Sequence, residues 1–235
     1  GAVSVLTGYG SMTSSGSVTV RTMNSGDNGV SGRLSFSSGT ASFGNSGSIS
    51  VGSDRATNGK AGSIRVTVGA GNTGDGGGVW IFAGQTTADD KVGGMVSIRG
   101  GISYTGTTLG KGGSVEIGGG AGSGHSGGAV SVLTGYGSMT SSGSVTVRTM
   151  NSGDVGVSGR LSFSSGTASV GNSGSISVGS DRATNGKAGS IRVTVGAGNT
   201  GDGGGVWIFA GQTTADDKVG GMVSIRGGIS YTATT

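Results

Sequence analysis

GSISVGSDRATNGKAGSIRV, residues 47–66, holds the pattern that decides the fold. Residues 47–51 and 62–66 share the form Gly-x-Φ-x-Φ, with Φ apolar, and begin 15 residues apart. Ile49, Val51, Ile64 and Val66 alternate with Ser50 and Arg65. β-branched residues at period two mark a strand with one buried face. Between the segments lie Gly52, Asp54, Asn58 and Gly59, residue types that favour turns.

The pattern extends in both directions. Segments of this form begin at Gly1, Gly16, Gly32, Gly47, Gly62, Gly77, Gly94 and Gly113, and the next begins at Gly128. All sixteen Φ positions in this first set are apolar, and only Leu34 and Phe36 are not Val or Ile. A second level of repetition lies above the first. Residues 128–235 repeat residues 1–108 at an offset of 127, with three differences: Asn28/Val155, Phe43/Val170 and Gly106/Ala233. The second copy stops where the first continues, so the chain reads as a section of something longer.

A lone strand cannot bury its face, but equivalent strands stacked every ~4.8 Å bury a continuous stripe. The expected fold is therefore all-β with no helices: a β-solenoid, or β-helix, of about 15-residue coils around a thin Val/Ile core. Residues 1–127 would form a first superrepeat of eight coils and residues 128–235 a second, incomplete one, in one continuous rod. Small residues nine places after each leading glycine (Gly10, Ser25, Ala41, Ala56, Gly71) would face the apolar stripe. A sandwich of unrelated strands does not explain a recurring pitch.

Composition agrees with a repetitive chain and excludes other classes. Glycine supplies 58 of 235 residues, and proline and cysteine are absent. Collagen needs a Gly-X-Y period and proline, and a disulfide scaffold needs cysteine. A hydrophobic share of 31% is too small for the core of an ordinary enzyme of this length. A net charge of +4 is too dilute for a nucleic-acid arm. No stretch is long and apolar enough to span a membrane.

Motifs that suggest chemistry fail in context. Gly69, Gly71 and Gly74 match G-x-G-x-x-G, but a dinucleotide site needs a helix next, and another Gly-x-Φ-x-Φ segment follows. Asp27, Asp75, Asp89 and Asp90 lie in glycine-rich turns without the tandem recurrence of a calcium roll. Lys60, Asp75 and Asp90 share a register position and read as a surface ion ladder. His125 has no neighbouring carboxylate. The reading is of no enzyme, no cofactor and no metal.

The contact surface is expected on the outward strand positions. Arg65 and Trp80 stand three places after their leading glycines, and Phe82 and Arg99 five. Cross-strand neighbours would pair Arg65 with Trp80 and Phe82 with Arg99 through cation–π contacts. Tyr104 joins them from the longest repeat. Arg192, Trp207, Phe209, Arg226 and Tyr231 repeat the set in the second copy. Residues 85–91 and 102–109 belong to the two longest repeats and should bulge once per 127 residues.

Runs such as SSGSVTV, NSGSISV and KAGSIRV resemble those of the secreted Gly/Ser/Thr-rich tandem-repeat proteins of diatoms and related algae. The resemblance spans the chain and implies an extracellular, cell-surface or matrix role. The expected function is a structural protein of an extracellular filament that self-associates end to end and laterally. The alternative is an ice- or glycan-binding adhesin, suggested by Ser42, Thr57, Asn72 and Thr87 in one register row.

Overall fold

The computed structural model describes residues 1–12, 14–104 and 110–230. Among these residues there is no helix and no strand. The expected β-solenoid is not formed, and the expected Val/Ile core is not buried among these residues.

Backbone hydrogen bonding shows why. Seven backbone–backbone hydrogen bonds join the described residues, where a folded domain makes about two for every three residues. Six of the seven have one form. A leading glycine donates its N–H to the carbonyl of the glycine seven places after the preceding leading glycine: Gly16 to Gly8, Gly94 to Gly84, Gly113 to Gly101, Gly128 to Gly120, Gly143 to Gly135 and Gly221 to Gly211, at 2.8–3.4 Å. Each bond ties the start of one repeat back to the loop that ends the repeat before it. None joins a Val/Ile segment to its counterpart in a neighbouring repeat, as a ladder requires. Glycine loses more backbone entropy on ordering than any other residue. With a hydrophobic share of only 31%, too little burial is available to offset that cost.

Side-chain burial follows from the missing ladder. No described residue is buried. Seven are half-buried, and all are Gly or Ala: Gly10, Ala56, Ala83, Gly100, Gly137, Ala183 and Ala210. The chain exposes 24,226 Å², about three-quarters of the ~32,000 Å² of the extended chain.

The 15-residue register nevertheless persists in the backbone. A bend or turn recurs 10–13 places after the leading glycines. It takes in residues 42–44, 57–59, 72–74 and 88–90 in the first copy, and residues 169–171, 184–186, 199–201 and 215–217 in the second. Gly44 and its counterpart Gly171 take φ of 92° and 101°, while Asp90 and Asp217 take 56° and 57°. Asp is among the few non-glycine residues that enter this left-handed region readily. Just ahead of it, the Ala88 N–H donates to Thr86 Oγ1, and Ala215 to Thr213 Oγ1, both at 3.2 Å.

The close approach at each loop closure explains the leading glycines. A Cβ on Gly77 would lie 2.8 Å from Val68 Cγ1, and one on Gly128 would lie 3.1 Å from the Gly120 nitrogen. In one pair of repeats a hydroxyl makes the closure: Ser53 Oγ donates to the Gly62 carbonyl at 3.0 Å, and Ser180 to Gly189 at 2.9 Å.

The chain divides into two compact units, Gly1–Gly118 and Gly119–Thr235. This boundary falls nine residues before the second copy begins at Gly128. In the first unit Val3 is 94% exposed. In the second unit its counterpart Val130, which follows the loop closed at Gly128, is 55% exposed.

One sequence difference between the copies changes a turn. In the first copy Gly29 donates to the Gly26 carbonyl at 3.3 Å across Asp27 and Asn28, and Ser25 Oγ donates to the Gly29 carbonyl at 2.9 Å. In the second copy Val155 replaces Asn28, and residues 154–156 form only a bend. Asparagine tolerates the central positions of a turn, whereas a β-branched side chain favours extended backbone.

Candidate contact surface

Trp80 and Trp207 are the chain's two tryptophans. Each stands one place after an apolar Φ residue, Val79 or Val206, and two places after a glycine. That glycine positions the ring. A Cβ on Gly78 would lie 2.9 Å from Trp80 Cζ2, and a Cβ on Gly205 would lie 3.1 Å from Trp207 Cε2 and Nε1. The indole lies back against the backbone of its own segment, in space that any side chain at residue 78 or 205 would fill. The Trp80 side chain remains 75% exposed and that of Trp207 79%.

Phe82 and Phe209 follow two places later and are also exposed, as is Tyr104. Ala83 and Ala210, next to the phenylalanines, are among the few half-buried residues. The aromatic residues thus border the place where the loop closes: Gly94 donates to the Gly84 carbonyl at 2.8 Å, and Gly221 to Gly211 at 2.8 Å. A Cβ on Gly94 would lie 3.2 Å from that of Ala83. In each unit, two aromatic side chains, one held against glycine, flank a closed loop neck.

The arginines stand differently. Arg65, Arg99, Arg192 and Arg226 are exposed and, like the residues around them, lie on backbone outside any strand. Their expected pairing with Trp80, Phe82, Trp207 and Phe209 required adjacent strands, and that basis is gone. The ladder of Lys60, Asp75 and Asp90 loses its basis in the same way. Ser42, Thr57 and Asn72 open bends rather than forming a flat row, because the register row meets the chain where it turns. Tyr231 lies outside the described residues, as do residues 105–109 of the second expected bulge.

Among the described residues there is no pocket, and no group of three or more His, Cys, Asp or Glu could hold a metal ion. Among the described residues no helix is long and apolar enough to cross a membrane. No family model, curated protein or solved structure matches the chain.

The platform glycines were missed in reading the sequence. Gly78 stands in a run of three, Gly76, Gly77 and Gly78, of which the repeat pattern requires only Gly77. An extra glycine two places before the only tryptophan of each copy was the available signal.

Proposed function

We propose that the chain is a non-enzymatic structural protein of an extracellular filament or fibre, assembled by self-association of its tandem repeats. The observation that supports this most directly is the recurrence of exposed apolar residues at one register in every repeat of both copies. Ile49 and Val51, Ile64 and Val66, and Val79 and Ile81 are all exposed, and so are Ile176 and Val178, Ile191 and Val193, and Val206 and Ile208. Exposed apolar surface beyond a few hundred Å² marks a site of association. A single chain leaves these residues in water; other copies, carrying the same residues at the same spacing, can cover them.

The two aromatic pairs, Trp80 with Phe82 and Trp207 with Phe209, are assigned to lateral contact between chains. Large aromatic side chains carry much of the energy of protein contacts. The extracellular placement rests on the resemblance to secreted algal repeat proteins. The low net charge of +4 offers little repulsion to association.

Sedimentation velocity over a wide dilution series, with electron microscopy of the concentrated end, tests the proposal. The expected result is growth with concentration into elongated particles of uniform width. Replacing Trp80, Phe82, Trp207 and Phe209 together by serine should raise the concentration at which growth begins. A chain that stays monomeric throughout, or that forms only amorphous aggregates, overturns the reading.

A further inference from the structure

Among the polar bends, one pair carries latent covalent chemistry. We propose that Asn58 and Asn185 are sites of spontaneous asparagine deamidation, made reactive by the open bends in which they sit. The proposal is independent of self-association.

The chemistry needs two adjacent groups and water. The amide nitrogen of the following residue attacks the side-chain carbonyl carbon of asparagine. A new C–N bond replaces the bond to the side-chain nitrogen, which leaves as ammonia with the proton given up by the backbone. Water then opens the resulting five-membered succinimide at either carbonyl, producing aspartate or isoaspartate. No oxidant or further co-reactant is required. Glycine is the most favourable following residue because it has no side chain to block the attack.

The chain contains three Asn-Gly pairs: Asn58-Gly59, Asn185-Gly186 and Asn28-Gly29. The structure separates them. Residues 57–59 and 184–186 form exposed bends. A Cβ on Gly59 or Gly186 would meet nothing within 4 Å, and among the described residues neither glycine nitrogen donates a backbone hydrogen bond. The attacking nitrogen is free to turn toward the side chain.

Gly29 is held on both sides. Its nitrogen, the would-be nucleophile, donates to the Gly26 carbonyl at 3.3 Å. Its carbonyl accepts from Ser25 Oγ at 2.9 Å, and a Cβ on Gly29 would lie 3.3 Å from Ser25 Cβ. The closed turn must open before attack can occur. The same dipeptide therefore reacts at different rates in two places on one chain. Each completed reaction replaces a neutral side chain by a carboxylate ionised at neutral pH, so reaction at Asn58 and Asn185 takes the net charge from +4 to about +2.

Peptide mapping of the full chain, aged in mildly alkaline buffer, supplies the test. Trypsin cuts after Arg55 and Lys60 and after Arg182 and Lys187, releasing the same peptide, ATNGK, from both copies. Asn28 appears in residues 22–33, and its counterpart peptide, residues 149–160, differs from it only by Val155. That second peptide measures any background from Asn24 and Asn151, so the difference between the two reports Asn28 alone.

The expected result is faster accumulation of the deamidated and isoaspartyl forms of ATNGK than of the Asn28 product. The ratio should be about threefold or more, the population factor of one exposed hydrogen bond. In strong urea the ratio should fall toward one, because the turn at Gly29 opens. Equal rates in buffer overturn the proposal. A ratio that urea leaves unchanged also overturns it, since local sequence rather than the bend would then set the rate.

Discussion

Heating the dilute chain should give no cooperative unfolding transition, and the expected size of the signal follows from exposed area. A globular protein of 22.2 kDa exposes about 9,400 Å² when folded and about 32,000 Å² when fully extended. This chain already exposes 24,226 Å². Complete unfolding can uncover only about 8,000 Å² more, about one third of what a globule of this mass uncovers. A globule of this length would show a heat-capacity increase of about 3 kcal/mol/K, so the ceiling here is about 1 kcal/mol/K. The urea m-value should shrink by the same factor. No described residue is buried, so no shared core links one repeat's opening to the next and the change should be gradual. Scanning calorimetry and urea titration followed by circular dichroism, at concentrations below assembly, measure both quantities. A sharp endotherm with a heat-capacity step near that of a globule would refute the reasoning, because it would require a core that this structure does not contain.

Two further outcomes follow from particular glycines. Gly128→Ala places a Cβ 3.1 Å from the Gly120 nitrogen, at a closure where Gly128 donates to the Gly120 carbonyl at 2.8 Å. Its backbone amide should exchange about threefold to tenfold faster by NMR, the loss of one net hydrogen bond of about 0.5–1.5 kcal/mol. Gly118→Ala, where a Cβ meets nothing within 4 Å, should leave that exchange unchanged. Replacing Gly78 and Gly205 by alanine displaces both indole rings, so tryptophan fluorescence should become more accessible to a neutral quencher; unaltered quenching would show that the rings do not rest on those glycines.

The register of this chain was legible in its sequence. Leading glycines placed at the start of each repeat do mark close approaches, as at Gly77 and Gly128. Of the small residues nine places later, Gly10, Ala56, Gly137 and Ala183 are half-buried, whereas Ser25, Ala41 and Gly71 are exposed. Turn-forming stretches such as residues 57–59 do bend. The strands were not legible, because period-two alternation states which side of a segment is apolar and says nothing about whether a partner lies beside it. At residues 47–51 and 62–66 the alternation is complete, yet hydrogen bonds form across the loops rather than between the segments. Aromatic residues 80 and 82 are exposed, but their pairing with arginines was inferred through a ladder that the described residues do not form. The turn at Asn28 could be read only with Val155 beside it, since the contrast between the copies shows which side chain the turn tolerates.

The uniform exposure of apolar residues in every repeat gives the chain a valence. Each repeat offers one weak site, and sites joined on a chain bind together at a high effective concentration, so linked contacts can outweigh a single one by a factor of about 10² to 10⁴. Duplicating the 127-residue unit therefore does more than lengthen the molecule. It multiplies the number of sites that must all let go at once before two chains can part.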